Sequence, residues 1–243
     1  MSIPTESVVT VSAFFGAAVS MGVGAIGAGI GIGAGGAEAA RAAARQPAGY
    51  GQIFKTMLIG QAVTETAAIF ALMISVVLLF APLPGSGFSG AASRLAAGIA
   101  MGFGAFGSGI GAGLANATAC RGVARRPEVS NDLMTTMLIG QSVAQSSAIF
   151  ALVVSLLLLF TPPQVESLVT VCKLLGAGIA VGLGALGPGL GSGITAMYGV
   201  SATASNVRHK QAILRTMLIG QAVSQSTATY ALVVALLLMF VVK

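Results

Sequence analysis

Glu65 lies within MLIGQAVTETAAIF (residues 57–70), where most neighbours are apolar or small. A carboxyl in such surroundings is suited to taking up and releasing a proton or a small cation. Two later stretches, MLIGQSVAQSSAIF (137–150) and MLIGQAVSQSTATY (217–230), repeat the pattern with Gln145 and Gln225 where the acid stood. Glutamine keeps the shape of a protonated glutamate and can still donate a hydrogen bond, but it cannot ionise.

The neighbouring side chains extend this chemistry. Gln61 precedes Glu65 by one helical turn on the same face, so a hydrogen bond between them is expected. Thr64 and Thr66 flank the acid, and the later copies offer Ser146, Ser147, Ser224, Ser226 and Thr227. The candidate ion-binding set is therefore Glu65 as carrier, with Gln61, Val63, Thr66, Gln145, Ser146, Gln225 and Ser226. Apolar surroundings disfavour a bare carboxylate, so the group is expected to hold a proton or to sit beside a bound cation. Emptying it then requires water or a counter-charge from outside the chain.

Composition fixes the setting. The chain has 243 residues, 56% hydrophobic and only 7% charged, against about 25% charged in soluble domains. Apolar stretches long enough to cross about 30 Å of hydrocarbon recur along it. This predicts an integral, multi-pass, all-α membrane protein; the continuous apolar runs exclude a β-barrel. An acid at mid-membrane depth costs at least about 2.5–3.5 kcal/mol, so a function is expected of it. A helix-packing role alone would be met by glutamine, which the later copies carry.

The segments must be positioned as hairpins. TMLIGQ begins at 56, 136 and 216, and GVGAIGAGIGIG (22–33) has counterparts at 102–113 and 182–193. Each unit has a glycine-rich span, a basic turn and a second span of bulkier apolar residues. Six helices in three tandem hairpins are expected, over 1–84 (with Glu65), 85–163 (Gln145) and 164–243 (Gln225). Proline and glycine in APLPGSGFSG and TPPQVES separate them. Nine of the 12 basic residues cluster near the turns, which predicts cytoplasmic turns and extracytoplasmic termini. The first residues lack a basic n-region, so a cleavable signal peptide is not expected. Cys120 and Cys172 fall towards opposite sides and are expected to stay unpaired. The net charge of +6 does not point to nucleic acid, for no soluble face carries it. GVGAIG fits G-x-G-x-x-G but lacks the strand–turn–helix context of a dinucleotide loop.

Glycine spacing says how the first helices meet. At 100° per residue, Gly22, Gly29 and Gly33 fall on one stripe and Gly24, Gly27 and Gly31 on the opposite one. Two small-residue stripes let each helix approach a neighbour on both sides. An inner ring of first helices, wrapped by the bulkier second ones, is the expected assembly.

The stretches AIGAGIGIGAGGAEAARAAARQP (25–47) and MLIGQAVTETAAIFALMISVVLLF (57–80) resemble the proteolipid c subunit of rotary ATPases, here as three fused hairpins. The resemblance implies a non-catalytic, ion-translocating subunit of an oligomeric rotor ring. Its implied partners are further copies of itself, a stator subunit bearing an arginine, central-stalk subunits and membrane lipid. Glu65 matches the ion-carrying acid. Arg45, Gln46 and Pro47 match the stalk-binding loop, Arg125, Arg126 and Pro127 match it in part, and Ser205, Asn206 and Val207 have lost it. No cofactor is implied beyond the transported H+ or Na+.

One acid per three hairpins means fewer ions per turn, so each can be driven up a steeper gradient, which favours ATP-driven pumping. In sodium-type rings of this kind a glutamine stands at the position of Ile32, and a tyrosine is favoured where Phe70 stands. Both departures lean towards protons, while Thr66 and a glutamine from an adjacent hairpin would suit sodium. A self-contained channel or secondary transporter, or a membrane scaffold, are the other classes compatible with the sequence.

Overall fold

The computed structural model describes residues 5–161 and 165–241. Met1, Lys243, Pro162 and Pro163 of the expectations above lie outside the described residues. Six long helices follow in order: α1 (Thr5–Arg45), α2 (Tyr50–Phe80), α3 (Gly87–Arg125), α4 (Ser130–Phe160), α5 (Leu168–Ser205) and α6 (Lys210–Phe240). All six are long and apolar enough to cross a membrane. The all-α architecture of three tandem hairpins is as expected from the repeats.

Each hairpin turns through one short 3-10 segment, at Pro47–Gly49, Pro127–Val129 and Val207–His209. The residue after each odd-numbered helix is pulled out of the helical region, with φ/ψ of −137°/73° at Gln46 and −144°/75° at Arg126. A following proline accounts for this by clashing with a helical predecessor. Asn206 adopts −145°/81° without any proline after it. The third turn has thus lost the sequence pattern while keeping its backbone shape.

At the opposite end, Gly85 and Gly87 take positive φ (87° and 68°) to bend the chain from α2 into α3. Arg94, buried in α3, donates to the carbonyls of Leu83, Gly85 and Gly90 and ties this connection down. Glu166 accepts from the Ser89 amide in the first turn of α3 (3.2 Å), where a negative charge meets the positive end of the helix dipole.

α1, α3 and α5 form one layer with α3 in the middle, and α2, α4 and α6 form the second with α4 in the middle. The first layer is thin because its helices meet through glycine. A methyl on Gly27 would strike the backbone of Phe106, and one on Gly31 that of Gly109. On α3, Gly102, Gly109 and Gly113 face α1, while Gly107 and Gly111 face α5. Both expected stripes are in use there. The outer helices approach one another much less closely than the inner ones do, so each hairpin is a wedge and three of them make an arc. Serines bind the two layers: Ser20 donates to Ala71 O (3.0 Å), Ser75 to Ala17 O (3.0 Å) and Ser155 to Ala97 O (2.9 Å).

The arc has two unpartnered flanks. Gly22, Gly29 and Gly33 on α1, and Gly187 on α5, have nothing among the described residues within 4 Å of where a Cβ would stand. Gly113→Val should therefore destabilise the chain by about 1–3 kcal/mol through backbone overlap with Gly31. Gly33→Val should leave the same chain unchanged. Thermal unfolding of both variants in mild detergent checks the difference.

Candidate functional site

Glu65 is the middle residue of α2, as Gln145 is of α4 and Gln225 of α6, roughly 22 Å from either helix end. The three positions differ in what precedes them. Gln145 packs against the first hairpin and is 6% exposed; its amide nitrogen donates to Val63 O at 2.9 Å. Gln225 packs against the second hairpin and donates to Val143 O at 3.0 Å, with Ser192 Oγ also at 3.0 Å. Glu65 belongs to the first of the three hairpins, and its side chain is exposed.

The amide of glutamine thus does what a protonated carboxyl would do, donating to the carbonyl on the neighbouring outer helix. It does so permanently, because it has no proton to give up at any accessible pH. The two internal junctions are each closed by such a bond. Among the described residues, the Oε1 atoms of Gln145 and Gln225 are buried without a hydrogen-bond partner, as are those of Gln141 and Gln221. Both junctions therefore hold spare acceptors.

Gln61 does not reach Glu65 as the sequence suggests. Its amide donates to Ile32 O at 3.2 Å, pinning α2 to α1. Its counterparts have the same duty and a second one. Gln141 donates to Ala112 O (3.0 Å) and to Gly60 O of the previous hairpin (3.0 Å), and Gln221 to Ser192 O (3.0 Å) and Gly140 O (2.9 Å). These carbonyls are helix-interior and already accept their own helix's N–H, so the glutamine row adds bonds between helices. Thr64 is buried and accepts from Gln141 at 3.3 Å, turned away from the acid.

The remaining hydroxyls of the set bond to their own helices. Thr66 donates to Ala62 O (3.4 Å), Ser146 to Val143 O (2.7 Å) and Ser226 to Val223 O (2.7 Å). Their oxygen lone pairs stay available to a ligand. Ile32 is half-buried beside Gln61, its side chain offering no oxygen. Cys120 is buried and Cys172 exposed, and both are free thiols.

Two ion pairs add contacts that the sequence does not announce. Glu38, buried in α1, is held by Arg121 of α3 through Nε (2.9 Å) and Nη2 (3.1 Å). Lys210 Nζ meets Asp132 Oδ1 at 2.9 Å across the second junction. Arg121 is more than loop charge, for it fastens the first hairpin to the second. The available signal is Glu38 itself, an acid among small residues one turn before Arg41. Arg45, Gln46, Pro47, Arg125, Arg126 and Pro127 all lie at the turn end, with Arg126 donating to Ala204 O at 3.1 Å.

Comparison with known proteins converges on the same hairpin. The family model for the ATP synthase c-subunit matches three times, over residues 15–78, 95–158 and 175–238. The ATP synthase c-subunit of Trichlorobacter lovleyi is 48% identical over 83 residues, covering 32% of this chain and 91% of that protein. The protein of the same name from Geobacter metallireducens is 52% identical over 69 residues (28% of this chain, 76% of its own). That from Alkaliphilus oremlandii is 45% identical over 78 residues (32% and 88%). Each relative corresponds to one hairpin of three. With its own outer-helix acid, its glycine-lined inner helices and three matches that span most of its length, the chain belongs to the ATP synthase c-subunit family.

Proposed function

We propose that this chain is the rotor-ring subunit of a rotary ATPase and carries protons on Glu65, one for every three hairpins. The observation that carries the reading is the pairing of Gln145 with Val63 O and of Gln225 with Val143 O, each pair 82 residues apart. One further step of the repeat sets the carbonyl of Val223 opposite Glu65 of a second copy. At that junction the donor is a carboxyl, which can let its proton go.

In this reading the free glycine stripe of α1 docks on the free flank of α5 in the next copy, and copies close into a ring. The basic turns face the cytoplasm, where Arg45, Gln46 and Pro47 meet a central stalk. A stator arginine draws the proton from Glu65 as the site passes. The amide in both internal sites donates as a protonated acid would, and Ile32 brings no oxygen, which together favour the proton over sodium. Gly33→Val, harmless within one chain, should block assembly between copies.

The direction is ATP-driven pumping. Moving a charge against a potential costs about 2.3 kcal/mol per 100 mV, so a ring with a third of the carriers can work against about three times the potential for the same ATP. The test is carbodiimide labelling of Glu65 across pH, with and without sodium. Labelling should fall as pH rises and the acid loses its proton, at the same pH in both series. Protection by sodium at fixed pH would overturn the choice of ion, and absence of labelling at any pH would overturn the carrier.

A further inference from the structure

The junctions between successive hairpins are not built alike, and the flank of the third hairpin stands open. A groove of about 530 Å³ runs there between α5 and α6, walled by Ile194, Thr195 and Tyr198 and by Ile213, Thr216 and Met217. Tyr198 and Ile194 are 67% and 45% exposed along it. The same groove is covered on the first hairpin by α3 and on the second by α5. Cys120 and Val200, on those covering helices, are fully buried. Ala40, their counterpart on α1, is exposed.

At each junction one residue of the groove faces one of the covering helix, and their sizes run in opposite directions. In the first, Asn116 of α3 sits against Gly35 and Gly60, and a methyl on either glycine would strike its side chain. The Asn116 amide donates to Met57 O at 3.3 Å. In the second, the covering residue is Ala196, which fills the space over Gly140, and the buried Ala115 stands at the position of Gly35. In the third hairpin that position is Thr195, whose hydroxyl donates to Gly191 O at 2.9 Å. Its methyl turns inward, 3.1 Å from where a Cβ on Gly220 would stand. The space that a neighbour fills over Gly60 and Gly140 is thus taken, over Gly220, by the groove's own side chain. A covering helix then needs the smallest residue at that point, and on α1 this position is Gly36.

We propose that Thr195 and Gly36 are a size key between copies: the groove of the third hairpin takes the first hairpin of a second copy of this chain and rejects hairpins with a larger residue at the Gly36 position. Asparagine meets glycine at the first junction, alanine meets alanine at the second, and glycine meets threonine between copies. Gly36 of the second copy lies over Thr195 and Gly220 as Asn116 lies over Gly35 and Gly60, and Ala40 becomes buried one turn further on. A second hairpin on that flank would bring Asn116 against Thr195, and a third would bring Ala196, overlaps that close-packed helices do not absorb. Copies therefore join in one order, first hairpin to third, and Glu65 recurs at every third outer helix. A lipid or a foreign helix could occupy the groove's volume but would leave the reciprocal sizes without a cause. The key rests on the ring reading above and does not depend on Glu65 carrying an ion.

The full chain is purified in mild detergent and its assembly read by native mass spectrometry, with thermal unfolding of the unassembled chain as the check on its fold. The parent chain should form rings whose masses are whole multiples of its own. Gly36→Asn should cut the assembled fraction about tenfold or more through overpacking on Thr195. The single chain should keep its fold. A Cβ on Gly36 would stand 3.3 Å from Gln61 Nε2, and the matching pairs Asn116 with Gln141 and Ala196 with Gln221 coexist in the other hairpins. Gly36→Asn/Thr195→Gly, which rebuilds the pairing of the first junction, should restore assembly. If Gly36→Asn unfolds the single chain, Gly36→Ala replaces it; that variant should lower assembly, and Gly36→Ala/Thr195→Ala, the pairing of the second junction, should restore it. Undiminished assembly in the single variants, or no rescue in the double ones, would overturn the key with the ring reading intact. Rings that hold another polypeptide between copies would overturn it too. A parent chain that stays single would overturn the ring reading and the key with it.

Discussion

Glu65→Gln is expected to abolish ATP-driven proton movement, to the level of the background leak, while the complex still assembles. The two glutamines already in the chain show why assembly should survive. Gln145 donates to Val63 O at 2.9 Å and Gln225 to Val143 O at 3.0 Å, so an amide at position 65 has a ready geometry against Val223 of the next copy. What it cannot do is release a proton to a stator. Proton pumping in reconstituted vesicles, read beside the size of the assembled complex, makes the comparison. Undiminished pumping would remove Glu65 from the mechanism, and loss of assembly would make it a packing residue.

The converse change should alter the gearing. Gln145→Glu combined with Gln225→Glu gives each chain three carboxyls in place of one. Each new acid, when protonated, can make the same donation to Val63 O or Val143 O. The number of protons moved per ATP should rise about threefold, and the greatest potential the pump sustains should fall to about a third. Flux ratios and the limiting potential of vesicles measure both quantities. An unchanged ratio would mean that the internal junctions never face the stator productively.

Much of this architecture is written in local periodicities. An 80-residue spacing and apolar runs give six helices in three hairpins, because in a membrane each span must satisfy its own backbone. The two glycine stripes predict close contact on both sides of the inner helices, and α3 shows it at Gly109 and Gly111. Pairings between hairpins are not legible in this way. Nothing in the spacing of Gln61 tells that its amide prefers Ile32 O to the acid one turn away, since that choice depends on which carbonyl α1 brings within 3.2 Å of it. The Glu38–Arg121 pair joins residues 83 apart, and only the tilt and register of two packed helices decides which arginine an acid meets. The third turn runs the other way: its sequence has drifted, yet Asn206 keeps the same backbone bend.

The wedge shape of the hairpins and the amides in two of three sites have a kinetic corollary. Outer helices packed about 10 Å apart put successive carboxyls of a ring of such chains roughly 30 Å apart along its rim. In the proposed ring one acid at a time then faces the stator, and each stride between acids must be completed by torque from the shaft. Such a wheel would be coarse-toothed and dependent on elastic energy stored in its axle.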